Sequence, residues 1–440
     1  MNLSVRVLQG GERVPFLLGV DGVPLFYPTL FETAKLRNGG AAVNTIRNKL
    51  EDIEVLLRWE AANDRNLLTE FKSGQMLALA DVVSLRDFCA LDMRYVGKVA
   101  SPPGAARNVT WLEARVTSVA PAPRVSQAQQ YNRLSTIADY VEFTASVVTQ
   151  HRGRPEDFTA IARMASQIRH HRPRGFAGFG DDDPNAKSPP PEVVDRFMAA
   201  MAVDNPQNPF RSPTLRLRNA IIFGLLRWTG MRRGELLSLR LDQLDLGEEP
   251  RVRVHRNQDD KADCRPHEPV TKTKERPLPI PEELAEQIQD YVLNVRAKID
   301  SALKHPYLFV SQRKGPTYGH PLSLSALGSR IVPKARSVAS EFAPIHPHAF
   351  RHHFNYELSV KIDAHNAEVR ARPEDQTLKP ISETEELDMR AFLNGHRSVA
   401  SGQFYTRRHV REQADRAVRM VQLETTSATT TRQVDDESKG

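Results

Sequence analysis

Two cysteines among 440 residues, Cys89 and Cys264, are too few for a disulfide framework, and a reducing, cytoplasmic compartment is expected. No apolar run approaches the roughly 18–20 residues that cross a bilayer. The longest, Ala220–Leu226, is closed by Arg227. The opening residues, MNLSVRVLQGGERVPF, carry charges where a secretion signal needs an unbroken apolar stretch, so secretion is not expected. The sequence has no P-loop, no clustered carboxylates of the two-metal kind and no internal repeat. Cys264 and His267 form a CxxH without a second pair of ligands, which reads as a polar loop and not as a zinc site. Secreted, membrane-spanning and nucleotide-driven classes are thereby disfavoured.

What is present is the profile of a folded protein, 40% hydrophobic and 26% charged, in a chain long enough for two or three domains. The net charge of +7 favours a polyanionic partner through counterion release, without saying anything of sequence specificity.

Periodicity and breakers divide the chain. Residues 1–25 mix hydrophobics and glycines without a clear period and read as a strand-like arm. Residues 26–171 read as a helical domain. In it Ile46, Leu50, Ile53 and Leu57 share a face, with Asn44 or Thr45 available as the cap. A second helical stretch runs from about Gly74 to Leu91, and a third, Ser126–Thr149, aligns Leu134, Ile137, Val141 and Ala145. Between these two, near 92–125, Pro102-Pro103-Gly104 and Pro121-Ala122-Pro123 mark a loop-rich insert. The strongest boundary is the linker 172–190, dense in Gly, Pro and Asp, with Arg169, Arg172 and Arg174 at its N-terminal edge. That cluster is either a solvated linker edge or a strap along DNA phosphates. Residues 191–423 form a further domain and 424–440 a disordered tail. In that domain helices are expected at Pro191–Ala202 and Thr214–Thr229, then one starting near Arg232. Strands are expected at Arg251–His255 and Arg276–Ile280. A last helix, Val410–Leu423, lines up Val410, Ala414, Ala417, Val418 and Val421. Trp59, Trp228 and Phe350 are expected in the core.

Four segments of this second half assemble Arg, His and Tyr. In Thr229-Gly230-Met231-Arg232 the glycine breaks a helix, and Arg232 stands near the N-terminus of the next, where backbone N–H groups favour an anion. In His348-Ala349-Phe350-Arg351 the two polar residues are three apart and share a helical face. Asn394-Gly395-His396 and Phe404-Tyr405-Thr406 follow, His396 and Tyr405 being separated by a turn and a short helix. Taken singly, each of these is a weak signal.

Together, in wording, order and C-terminal placement, they resemble the tyrosine recombinase (phage integrase) family. The resemblance covers about Pro191–Leu423, and more loosely the helical patterning of Asn44–Gln167. It implies a mainly α fold with a small β-hairpin or sheet: a helical, SAM-like core-binding domain plus an α+β catalytic domain. It implies that Arg232 and Arg351 clamp a phosphate, that His396 donates to it, and that Tyr405 is the nucleophile. His348 would accept or relay the tyrosine proton, and a hairpin lysine would protonate the leaving oxygen. That lysine is Lys272 or, by a slip of two residues, Lys274. The chemistry suits the residue types: guanidiniums stay charged and bind nonbridging oxygens bidentately, while a phenol of pKa near 10 needs help to ionise. The implied activity is site-specific DNA recombination, integrating or excising a mobile element through a 3′-phosphotyrosine, with no metal or nucleotide cofactor. The implied partners are double-stranded DNA and three further copies in a synaptic tetramer, with room for other recombinases or accessory proteins. One departure is a charged, Pro-bearing insert near Asp363–Glu386. A type IB topoisomerase and a DNA-binding accessory protein with a vestigial site are the rival readings. The last helix either packs on its own domain or docks on a neighbouring copy.

Overall fold

The computed structural model describes residues 2–96, 123–152, 154–174, 189–257, 259–271, 273–374, 377, 379–396, 410 and 413–420. The chain is mainly helical with two small sheets, and it divides into two compact units, residues 1–8 with 13–180 and residues 9–12 with 181–440.

In the first unit the N-terminal arm is a hairpin of β1 (Asn2–Val7) and β2 (Arg13–Leu18), antiparallel with Asn2 opposite Leu18. Helix α1 (Val43–Ala62) begins one residue before Asn44; the cap position is Ala42, so neither Asn44 nor Thr45 caps it. Gly74, at φ 88°, ends α2 (Leu67–Ser73) and does not open the next helix, which is α3 (Leu79–Cys89). Ser126 caps α4 (Gln127–Thr149) by accepting the Gln129 N–H at 3.2 Å, and α5 (Pro155–His170) follows. The stripes read from periodicity form the core: Ile46, Leu50, Ile53, Leu134, Ile137, Val141 and Ala145 are buried together with Trp59, Ile161 and Ile168. Leu57 is only partly buried at its margin. Against this core burial lifts the Asp52 carboxyl to about 6, although the Thr136 hydroxyl donates to it at 2.9 Å.

In the second unit α6 (Pro191–Ala200) and α7 (Pro213–Thr229) pack with the later α11 (Pro347–Ala371) through an aromatic cluster. Phe197 meets Phe223 edge-on at 5.0 Å, and Phe350 completes the group. Trp59 and Phe350 are core, but Trp228 is 50% exposed. Its ring lies on the outer side of α7, beneath the Arg227 guanidinium at 5.2 Å. Helix α8 (Arg233–Ser238) leads to a sheet of three strands. The expected pair, β4 (Arg251–Val254) and β5 (Arg276–Pro279), is antiparallel, and a two-residue strand β3 (Leu244–Asp245) extends it.

The connection between β4 and β5 is not a solvated loop. Asp263, Arg265, Glu268, Thr271 and Thr273 are all buried in it. Arg265 grips the Asp263 carboxylate and donates to the Leu237 and Leu322 carbonyls at 3.0 and 2.7 Å. Helix α9 (Glu282–Asp290) and the short α10 (Val332–Arg336) close the core. The expected insert near 363–386 is helical at both ends: α11 runs on to Ala371, and α12 (Glu383–Asn394) begins at a Ser382–Glu385 capping box. Asn366 holds the turn between them by a reciprocal pair of bonds to the Ile381 backbone, at 2.8 and 2.9 Å. Residues 413–420 are helical and exposed, with Val418 and Met420 at 55 and 61% and Val410 at 58%. The described apolar residues of the last helix therefore do not pack on their own domain.

Candidate active site

Three of the expected residues meet at the C-terminal end of α12. Gly230 terminates α7 with φ 59°, and a side chain there would collide with Phe354, its Cβ lying 2.7 Å from the ring. That turn delivers Arg232 to the cap position of α8 and leaves the Gly230 carbonyl facing α11. Arg351, on the inner face of α11 and wholly buried, donates to Gly230 O at 3.0 Å and to Asn394 O at 2.7 Å. Arg232, partly exposed, donates to the same Asn394 oxygen at 3.2 Å. Two guanidiniums thus converge on one carbonyl at the negative end of a helix.

Asn394 is placed by a buried amide pair that sequence reading missed. Its side-chain N–H donates to Asn355 Oδ1 at 2.8 Å, and the Asn355 amide returns a bond to Asn394 Oδ1 at 3.1 Å. Arg390, fully buried on α12, donates to Asn355 O and Ser359 Oγ on α11 and to Glu386 one turn back on its own helix. The two asparagines lie 39 residues apart and fit no local pattern.

Gly395 then turns the chain at φ 63°, which sets His396 beside Arg351, Nη2 lying 3.2 Å from Nε2. Burial depresses the His396 pKa to about 4, reinforced by the cations of Arg351, Arg232 and Arg276 and only partly opposed by Glu235. The imidazole is therefore neutral at pH 7, and a guanidinium donating to Nε2 fixes the tautomer with its proton on Nδ1.

The anion-binding helix start expected at Arg232 is instead filled from within. Helix α8 has six residues, and Glu235 turns back so that its carboxylate accepts the Arg232 backbone N–H at 3.0 Å. Glu235 is buried, which opposes ionisation, yet Arg276, Thr273 and the Arg232 amide outweigh that and lower its pKa. Arg276 donates to it at 2.9 Å and the Thr273 hydroxyl at 2.6 Å. Arg276 is thus the cation nearest Glu235, with Arg232 Nη1 farther off at 3.4 Å.

His348 sits one turn before Arg351 on α11, exposed, its ring 4.7 Å from that of His352. Lys272 and Tyr405 lie outside the described residues. Lys274 is exposed, and its N–H donates to Gly395 O at 3.2 Å.

The basic cluster at the linker edge is partly engaged within its own unit. Arg169 pairs with Asp139 and Glu142 at 2.9 and 2.6 Å. Arg172 stacks on Tyr131 at 4.6 Å, while Arg174 is exposed.

Comparison with known proteins adds an independent line. Residues 190–365 match the phage integrase family. The chain is 28% identical over 214 residues to the tyrosine recombinase XerD of Halalkalibacterium halodurans, a match that takes in 48% of this chain and 64% of that protein. It therefore spans less than two thirds of the length of that relative. Among solved structures, the XerA recombinase aligns with 89% of this chain and 97% of its own at 16% identity, with a TM-score of 0.34. The XerH site-specific recombinase bound to its difH substrate aligns with 87% of this chain and 90% of its own at 13% identity, with a TM-score of 0.41.

Proposed function

From a chain whose residues 190–365 belong to the phage integrase family, we propose a tyrosine recombinase that breaks and rejoins DNA, acting site-specifically to integrate or excise a mobile element. The observation that carries this reading is the convergence of Arg232, Arg351 and a neutral His396 at the Asn394 carbonyl. A phosphodiester entering there replaces a partial negative charge with a full one. Both guanidiniums then turn to its nonbridging oxygens, and the Nδ1–H of His396 is a further donor to them.

In the proposed reaction the Tyr405 oxygen attacks phosphorus, and the bond from phosphorus to the 5′-oxygen breaks. His348 accepts the phenolic proton, and Lys272, or Lys274 two residues on, gives one to the leaving 5′-oxygen. The products are a 3′-phosphotyrosine and a 5′-hydroxyl, and attack by a 5′-hydroxyl from another duplex completes strand exchange. Four copies on two duplexes supply the four cleavages, and the exposed apolar residues of the last helix offer a surface for contact between copies. Arg174, exposed beside Arg169 and Arg172, is the member of that cluster best placed to lie along phosphates.

The test is a nicked suicide substrate. Wild-type protein should accumulate a denaturant-resistant adduct at the 3′-phosphate, and Tyr405→Phe should bind DNA equally and yield none. An adduct persisting in Tyr405→Phe refutes the assignment of the nucleophile. Supercoil relaxation without recombinant products identifies the topoisomerase reading, and binding without any adduct identifies the accessory protein.

A further inference from the structure

Arg276, at the start of β5, has no role assigned from the sequence, yet it is buried, its side chain 1% exposed, at the meeting point of three elements. Its Nε donates to Leu393 O at 2.8 Å, on the last turn of α12. Its Nη1 donates to Thr273 Oγ1 and Lys274 O at 3.1 and 3.2 Å, in the segment just before β5. Its Nη2 donates to Glu235 Oε2 at 2.9 Å, on α8. All three nitrogens of one rigid fork are thus engaged, each on a different piece of chain or on the carboxylate between them.

Resting on the recombinase reading above, we propose that Arg276 is a positioning residue that locks the lysine-bearing segment to the turn carrying His396. The neighbouring contacts fit that role. Lys272 and Lys274 flank Thr273, whose hydroxyl is held from both sides, by Arg276 as donor and by Glu235 as acceptor. The Lys274 N–H donates to Gly395 O, the residue before His396. At Gly395 a Cβ would lie 2.5 Å from Arg276 Nη1 and 2.7 Å from Thr273 Cβ, so the turn closes directly onto the fork. The segment that carries the lysines and the turn that carries His396 are thus joined by the Arg276 fork and by the Lys274 N–H together. A lysine in its place keeps the cation beside Glu235 and cannot span the Leu393 carbonyl, Thr273 and Glu235 at fixed angles. Misplacing a reacting group by about 1 Å is enough to lower a rate on the order of 10²-fold.

Arg276→Lys is the informative variant, read in four ways: thermal midpoint, DNA affinity, single-turnover cleavage at saturating nicked DNA, and exchange of the Lys274 amide. The expected result is a folded protein with unchanged affinity, faster Lys274 exchange and cleavage slowed by about 10²-fold. Cleavage at the wild-type rate, or slowed only in proportion to the unfolded fraction, overturns the proposal. Should Arg276→Lys fail to fold, Arg276→Gln combined with Glu235→Gln leaves no unpaired buried charge and is compared with Glu235→Gln alone. Slower cleavage in the double variant at equal folded fraction supports positioning by Arg276, and equal rates overturn it. If the wild-type protein forms no adduct, the recombinase reading falls. The Lys274 exchange rate in Arg276→Lys still decides whether Arg276 holds the two segments together.

Discussion

Replacing Arg232 and Arg351 by alanine, one at a time, separates two residues for which one chemical role is proposed and whose structural roles differ. Arg351 is wholly buried and supplies donors to Gly230 O, Asn394 O and His396. Its loss removes a donor from two further buried acceptors, Gly230 O and His396 Nε2, at about 1–3 kcal/mol each, while Asn394 O keeps Arg232. A total of about 2–6 kcal/mol is expected, which for a domain of this size lowers the thermal midpoint by roughly 5–25 °C. Arg232 is partly exposed, its bonds to Asn394 O and Glu235 are 3.2 and 3.4 Å long, and Glu235 keeps Arg276 without it. Arg232→Ala should therefore cost less than about 1 kcal/mol and move the midpoint by a few degrees at most. Both variants should lose about 10²–10³ in single-turnover cleavage with little loss of DNA affinity, each removing a donor to the transition-state oxygens. In Arg351→Ala the His396 titration, followed by NMR of the ring, should climb from about 4, because Arg351 follows burial as the chief cause of its depression. Equal thermal shifts in the two variants would refute the structural asymmetry. A loss confined to affinity would show that these arginines only position the DNA backbone.

Other outcomes follow from the same contacts. Of Lys272→Ala and Lys274→Ala, the variant lacking the general acid should be rescued when the 5′-oxygen of the substrate is replaced by sulfur, a better leaving group that needs no proton; rescue of neither refutes a hairpin acid. Asp52, raised to about 6 from an ordinary 3.8, favours the folded state while protonated, so its contribution is present below pH 4 and is lost as pH rises through 6. Asp52→Asn should therefore stabilise the first unit at pH 7, by up to about 3 kcal/mol, and flatten the fall in stability between pH 4 and 6. Denaturant melts of both proteins at pH 4 and 7 check this, and an undiminished pH dependence in the variant would contradict it.

The residues that sequence reading placed well are those whose roles repeat at short range. The stripes Ile46–Leu50–Ile53 and Leu134–Ile137–Val141 and the break at Gly230 depend on neighbours within a turn or two. The same logic misplaced Trp228, whose apolar neighbours on α7 face the core while its own ring stacks outside with Arg227. The reading of the connection bearing Cys264 and His267 as a polar loop holds for those two exposed residues and does not extend to the buried charges beside them. Here Arg265 and Asp263 neutralise each other inside the domain. The site was legible as a set of residue types, but its frame was not. The Asn355–Asn394 pair and the Arg276–Glu235 pair each join residues about forty positions apart, and no periodicity carries information over that distance.

The Asn394 carbonyl, shared by Arg232 and Arg351, bears on how such a protein can change over generations. Two like charges held close together need a fixed negative partner, and here a helix end provides it. The orientation of that helix end is set by Asn355, Ser359 and Arg390, all buried between α11 and α12. A substitution among them that tilts α12 would loosen the grip on phosphate while leaving every DNA-facing side chain intact. On the recombinase reading proposed above, the reaction rate would thus be open to adjustment from the interior, through residues that are not themselves donors to the phosphate.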